Sequence, residues 1–301
     1  MNVLESLSDA LAAVVERAGA TVVRIEGRRG APGSGIVWSA DGAILTAEHV
    51  LEREDDDIKV GLADGKVVSA AVVGRDATTD LALLRVEASG LATPEWRSPE
   101  GIRTGHVAVA LSRPGNAVRA QLGIISAAAP SWRTPAGGEL AAYLQPDVEP
   151  SWGFSGGLLA DVSGKAIGMN TSGIVRRTPL AIPSPTLERV ARMLLTQGRV
   201  PRGYLGIAAY PVRLPKAARE QLGQNRGLIV IGVDPNSPAE QAGLVLGDVL
   251  TAIEGTAVRH HGDVAARLGP EMVGKAVALR IIRAGTVQDL RVTIRERAGA
   301  A

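Results

Sequence analysis

Between residues 20 and 169 the apolar residues come in short runs, each soon broken by glycine, proline or an Asp-Gly pair. That spacing constrains the fold more than any other feature of the chain. Runs this short suit strands and leave little room for long helices. The sharpest instance is Ala40-Asp41-Gly42, which separates apolar residues 35–38 from apolar residues 43–46. Asp-Gly between two such runs is a strong hairpin signal, because glycine supplies the positive φ that the turn requires. Residues 20–26, 58–62, 67–73 and 81–86 extend this first set of strands, with a Gly/Pro/Arg-rich turn at 27–33. Residues 107–111, 120–127, 141–144, 157–159 and 166–169 form a second set. Many short strands joined by turns imply antiparallel barrels or sandwiches. With 46% hydrophobic residues but only 3% aromatics, the cores must be built from Val, Leu, Ile and Ala.

Helices flank this β region. Leu4, Leu7, Leu11, Val14 and Val15 mark one stripe of an amphipathic helix within residues 1–19. In a second helix Ser184 is the expected cap, Pro185 fits the first turn, Leu187, Val190, Leu194 and Leu195 form the apolar side, and Gly198 ends it. Residues 199–203 then read as a domain boundary, which divides the chain into 1–200 and 201–301. The second part reads as a small α+β unit. Strands are expected at 227–233, 248–253 and 276–282, a capped short helix at Ser237-Pro238-Ala239-Glu240, and another helix at 263–268.

Charge and composition remove several functional classes. Lys+Arg at 33 against Asp+Glu at 31 leaves a net charge of +2, and no basic run interleaves with aromatics, so nucleic acid is not an expected partner. The absence of cysteine excludes disulfides, thiol nucleophiles and Cys-ligated zinc. His260 and His261 are adjacent, without the spacing of a helical ligand pair, so neither a metal nor another cofactor is expected. The first residues carry Glu5 and Asp9 where an export signal needs a basic region and an apolar run. No apolar stretch reaches the roughly 18 residues of a membrane span. The sequence therefore reads as cytoplasmic, or as a cell-envelope or periplasmic protein whose signal has been removed.

Three segments carry chemistry. His49 ends an apolar strand, where its ring can emerge into a cleft. Asp80 immediately precedes residues 81–86, where the fold can bury and orient a carboxylate. Ser155 sits in Gly153-Phe154-Ser155-Gly156-Gly157, whose glycines permit a sharp turn with amides facing a substrate. A serine nucleophile needs a base, and a histidine base needs a carboxylate to fix its tautomer. The N–H groups of Gly153 and Ser155 would form the oxyanion hole. The same glycine pattern matches the nucleophile elbow of an esterase, but that elbow leads into a helix, with the acid and histidine after the serine. A catalytically silent protein that holds peptides in the same clefts is the other alternative.

Thr46-Ala47-Glu48-His49, Asp80-Leu81-Ala82-Leu83-Leu84 and Gly153-Phe154-Ser155-Gly156-Gly157 resemble, in order, the catalytic segments of chymotrypsin-like proteases. Gly33-Ser34-Gly35-Ile36-Val37, Gln145-Pro146-Asp147, Ala166-Ile167-Gly168-Met169-Asn170-Thr171 and Ala181-Ile182-Pro183-Ser184 narrow the resemblance to the HtrA (Deg) family. It implies two six-stranded antiparallel β-barrels followed by a PDZ domain, with His49, Asp80 and Ser155 as the triad. It also implies unfolded or damaged polypeptides as substrates, and trimer-based homo-oligomers. Arg202-Gly203-Tyr204-Leu205-Gly206-Ile207 resembles the loop that receives a peptide's terminal carboxylate. Consecutive amides make an anion nest, and a strand edge accepts an added strand. Ile207 would begin that edge, and the helix bearing Val264 and Leu268 would form the opposite wall. Phe154 stands where the family has Asn, Leu158 replaces a Pro, and Trp152 also departs from the pattern. Trp152 and Phe154 are thus expected to narrow the cleft or hold it inactive without peptide. Glu149 stands near the first specificity pocket, either favouring a basic side chain or serving as a solvated turn residue.

Overall fold

The computed structural model describes residues 2–27, 32–52, 57–176 and 178–296, so part of the turn expected at 27–33 lies outside the described residues. The chain divides into two compact units, residues 1–200 and 201–301.

The first unit opens with α1 (Val3–Gly19), whose start is closed by Asn2: its side chain accepts from the Leu4 N–H at 3.2 Å, and its own N–H donates to Glu5 at 3.0 Å. Only the second half of the apolar stripe packs. Val14 and Ala18 are buried, while Leu4 and Leu7 are exposed. Six strands follow: β1 (Val22–Glu26), β2 (Gly33–Ser39), β3 (Ala43–Ala47), β4 (Ile58–Gly61), β5 (Val67–Asp76) and β6 (Leu81–Val86). They close into an antiparallel barrel in the order β1-β2-β3-β6-β5-β4. The Asp-Gly turn lies where the pattern puts it: the Gly42 N–H donates to the Ser39 carbonyl at 3.1 Å, with Gly42 at φ +99°.

The second barrel comprises β7 (Val107–Ser112), β8 (Arg119–Ala129), β9 (Tyr143–Pro146), β10 (Leu158–Asp161), β11 (Ala166–Thr171) and β12 (Leu180–Pro183). Its sheet order is β9-β8-β7-β10-β11-β12, and the outer strands β9 and β12 pack together. The sequence pattern gives no hint of β12, because a four-residue apolar run ending in proline at a helix start reads as a lead-in. α2 (Ser184–Gln197) then packs Leu187, Val190 and Leu194 into the core and ends at Gly198, φ +69°. Ser184 is not its cap. Pro183 occupies that position, and the Ser184 hydroxyl instead donates to the Arg97 carbonyl at 2.6 Å.

One continuous apolar core joins the first barrel, α2 and the inner residues Val109, Leu111, Leu158 and Met169 of the second. A smaller core inside the second barrel gathers Ile125, Leu144, Leu159 and Ile167 around Phe154, which is 2% exposed.

The second unit is an antiparallel sheet ordered β13 (Ile207–Arg213), β14 (Arg226–Val233), β15 (Val249–Ile253), β16 (Ala276–Arg283), β17 (Thr286–Thr293). α3 (Lys216–Leu222) and β17 are additions to the sequence reading. In α4 (Pro238–Gln241), Ser237 is the cap and accepts from the Glu240 N–H at 3.1 Å. α5 (His261–Arg267) begins two residues earlier than expected. Asp263 lies within its first turn and accepts from the Arg259 N–H at 2.7 Å, which draws the preceding residues into the helix start.

Truncating the sole phenylalanine opens a cavity that Val, Leu and Ile cannot refill. Phe154→Ala should therefore destabilise the first unit by about 3–5 kcal/mol, read as a lowered urea midpoint at unchanged slope.

Candidate active site

Asp80 occupies the tip of a turn built by Asp76, whose carboxylate accepts from the Thr78 hydroxyl at 2.6 Å and the Thr79 hydroxyl at 2.7 Å. The turn forces Asp80 to φ +56°, a left-handed conformation that Asp tolerates better than most residues. The reward is orientation. The Asp80 carbonyl accepts from the Glu48 N–H at 3.1 Å, and its Oδ1 accepts from the His49 N–H at 3.0 Å. Its side chain, 5% exposed by residue, lies 2.9 Å through each carboxylate oxygen from His49 Nδ1. A carboxylate against Nδ1 keeps the proton there, which leaves Nε2 as the basic nitrogen. His49 itself sits in a single 3₁₀ turn, Glu48–Val50, directly after β3.

The second barrel meets this pair through three consecutive residues that sequence reasoning gave no role. The Thr171 hydroxyl donates a short bond to Asp80 Oδ2. Ser172 lies 3.1 Å, Oγ to Oγ, from Ser155. Gly173 lies over the histidine: a methyl group there would come within 2.3 Å of His49 Nδ1 and 2.7 Å of Asp80 Oδ2. The residues at the end of β11 thus touch all three members of the expected triad.

Ser155 is held on a turn in which the Phe154 N–H donates to the Ser151 carbonyl at 3.0 Å, with Gly153 at φ +77°. Gly156 has φ +83°, and a methyl group on it would lie 1.9 Å from the Ser34 carbonyl oxygen, so glycine is mandatory. Ser34 is fully buried and ties the turn down. Its hydroxyl donates to the Gly153 carbonyl at 2.6 Å and accepts from the Arg113 N–H at 2.7 Å, while its N–H donates to the Ser155 carbonyl at 3.0 Å. The Arg113 guanidinium is buried too, spending its donors on the carbonyls of Val22, Gly19 and Asn116 at 2.6–2.9 Å. Burial lowers its pKa from the ordinary arginine value. Among the described residues, neither the Gly153 N–H nor the Ser155 N–H has a protein acceptor. Two such donors beside a serine are what an oxyanion requires.

The serine is followed by strand β10 rather than a helix, which overturns the esterase elbow. Phe154 does not narrow the cleft either. Its ring points into the second barrel's core, whereas Trp152 is 67% exposed. Glu149 is exposed and lines, with Pro114, Arg119 and Trp152, an open cavity of about 780 Å³ beside the serine turn.

In the second unit, β13 is one of the sheet's two edge strands, with α5 packed beside it. Leu205 is buried, and Ile207, Val264 and Leu268 are half-buried against the same core. The Tyr204 hydroxyl donates to Asp234 at 2.5 Å, and the Gly206 carbonyl accepts from the Asp234 N–H at 2.9 Å. The N–H groups of Leu205 and Gly206 have no protein acceptor among the described residues. His261, at the start of α5, holds the Ala209 carbonyl at 2.7 Å through Nε2.

Two antiparallel barrels, with an Asp-bound imidazole and a serine on a glycine-flanked turn held by the same run of residues 171–173, have the architecture of the trypsin-like peptidase class. A family model described as trypsin-like peptidase domain matches residues 33–169, and one described as PDZ domain matches residues 203–294. The "Probable periplasmic serine endoprotease DegP-like" of Marinomonas sp. (strain MWYL1) is 32% identical over 278 residues, covering 90% of this chain and 58% of its own length. The protein of the same description from Brucella suis biovar 1 (strain 1330) is 34% identical, covering 88% and 52%. The chain thus spans little more than half the length of these relatives. Among solved structures, an HtrA-type protease AlgW with tripeptide superposes with a TM-score of 0.74 at 31% identity, covering 96% of this chain and 98% of that one. A serine endoprotease from Yersinia pestis gives a TM-score of 0.72 at 28% identity, covering 95% and 97%. The chain belongs to the HtrA family of serine proteases.

Adding one methyl at Gly173 displaces the His49–Asp80 pair without entering the core. Gly173→Ala should fold normally by circular dichroism yet lose at least about a hundredfold in peptide kcat/KM, the cost of misplacing a base by about an ångström.

Proposed function

We propose that this chain is a serine endopeptidase of protein quality control, cutting unfolded or damaged polypeptides in the cleft of residues 1–200 and binding peptide C-termini in residues 201–301. The observation that carries the catalytic reading is Asp80, buried at φ +56°, spanning the Nδ1 of His49 and bonded by the same run, Thr171 to Gly173, that reaches Ser155. His49 Nε2 takes the Ser155 proton as Oγ attacks the scissile carbonyl. Asp80 stabilises the imidazolium that forms. The Gly153 and Ser155 N–H groups hold the oxyanion, and their lack of another acceptor among the described residues supports that role. His49 then protonates the leaving amine, and water repeats the sequence on the acyl-enzyme.

The terminal-carboxylate reading rests on the Leu205 and Gly206 amides beside the edge strand β13, which have no protein acceptor among the described residues. AlgW, described with a decapeptide and with a tripeptide, supports peptide as the ligand class. The relatives are described as periplasmic, which supports the cell envelope rather than the cytoplasmic reading of the first residues. Trimer-based assembly belongs to the same proposal; light scattering tests it.

A fluorophosphonate should label Ser155 in the full chain, and labelling should vanish in His49→Ala. Absence of labelling and of casein cleavage in a folded chain, even with added C-terminal peptide, would instead mark a silent peptide binder. Asp80→Asn should retain the fold, since Asn accepts the left-handed conformation, and lose on the order of 10⁴ in kcat; a loss below about tenfold contradicts the assigned role. In Ser155→Ala, a peptide with a free C-terminal carboxylate should bind at least about tenfold tighter than its amide, measured by fluorescence anisotropy.

A further inference from the structure

Among the described residues, Ser172 is a side chain whose contact is directed at the reacting oxygen and which the mechanism above does not use. Its Oγ lies 3.1 Å from Ser155 Oγ, and its N–H donates to the same oxygen at 3.3 Å. Neither group has another partner among the described residues. Both flanking residues are tied to the triad as well: Thr171 bonds Asp80, and the Gly173 N–H donates to the Thr171 hydroxyl at 3.0 Å. The Ser172 backbone is therefore fixed in place, and its hydroxyl is aimed at the nucleophile by the fold.

A serine oxygen has one proton to give and two lone pairs to offer. The Ser172 N–H engages one lone pair. The Ser172 hydroxyl engages either the second lone pair or, if Ser155 is the donor, the proton itself. Attack on a carbonyl consumes a lone pair and sends the proton to His49. In either orientation the pair of contacts occupies something the reaction needs, so it cannot survive intact into the transition state. An interaction made in the ground state and absent from the transition state raises the barrier.

We infer that Ser172 is a positioning residue that parks the Ser155 hydroxyl in a resting hydrogen bond, which must break before the nucleophile attacks. The inference rests on Ser155 being the nucleophile. Removing the hydroxyl leaves the weaker N–H contact and frees Ser155 for His49. A side-chain hydrogen bond of ordinary net strength corresponds to about a three- to tenfold effect on rate, the gain expected when this one is removed.

The test compares the full-length parent, Ser172→Ala and Ser172→Thr in two reactions: labelling by diisopropyl fluorophosphate, too small to reach the peptide subsites, and turnover of a fluorogenic peptide. Ser172→Ala should raise the labelling rate constant and kcat about three- to tenfold by the same factor, with KM and the thermal midpoint unchanged. Ser172→Thr, which keeps the hydroxyl, should return both to the parent values. Labelling confined to the alanine variant would be the extreme form of the same result. A parent that labels at Ser155 while Ser172→Ala labels equally fast or more slowly overturns the clamp and leaves the protease reading standing. An effect on KM alone, or on the peptide but not the small reagent, makes Ser172 a substrate contact and overturns it likewise. No labelling of any of the three folded proteins removes the nucleophile and the clamp together.

Discussion

The buried hydroxyl of Ser34 accepts from the Arg113 N–H and donates to the Gly153 carbonyl, and this relay is the joint on which the site depends. Each barrel carries half of a reacting set. Apolar packing is non-directional and sets the separation of the barrels only loosely. A hydrogen bond is directional, and a buried one is costly to leave unmade. Ser34 lies on β2 of the first barrel, yet its three polar groups are spent on Arg113, on the serine turn and on Thr46 of β3, whose hydroxyl donates to its carbonyl at 2.7 Å. Any slip between the barrels breaks several of these bonds at once.

The same economy governs the charges. Asp80 and Arg113 are both buried, and neither is simply an ion pair with the other. Asp80 is met by the His49 backbone, the His49 ring and the Thr171 hydroxyl. The Arg113 guanidinium is met, among the described residues, by backbone carbonyls. A buried charge satisfied by dipoles keeps its neighbours in fixed positions, because any partner that moves leaves it uncompensated. The two ions therefore act as rigid fixtures, one orienting the base and one anchoring the chain that returns from α1.

Much of this was legible in the amino-acid order, and the parts that were not share a cause. The hairpin at Asp41-Gly42 and the strand sets follow from local pattern, because each depends on residues a few positions apart; His49, Asp80 and Ser155 stand out only as a set, through the resemblance of their three segments to those of chymotrypsin-like proteases. Thr171, Ser172, Gly173 and Arg113 depend on register between strands distant in sequence, which no local period encodes. Phe154 is the instructive miss. Flanked by Gly153 and Ser155, it reads as a cleft residue, but a chain turning sharply sends successive side chains to opposite sides, and its side is the core. Ser184 failed for a related reason: proline at 183 already supplied the extended residue before the helix, which released the hydroxyl for a bond across the fold.

The continuous core shared by the first barrel, α2 and the inner face of the second has a bearing on the fate of a failing molecule. Because Val109, Leu111, Leu158 and Met169 belong to the same apolar body as Ile25, Ile44 and Leu83, loosening one barrel strips packing from the other. Loosening either side separates Ser155 from His49 in that same event. A copy that loosens thus loses the alignment of those two side chains at the outset, before the chain is fully open.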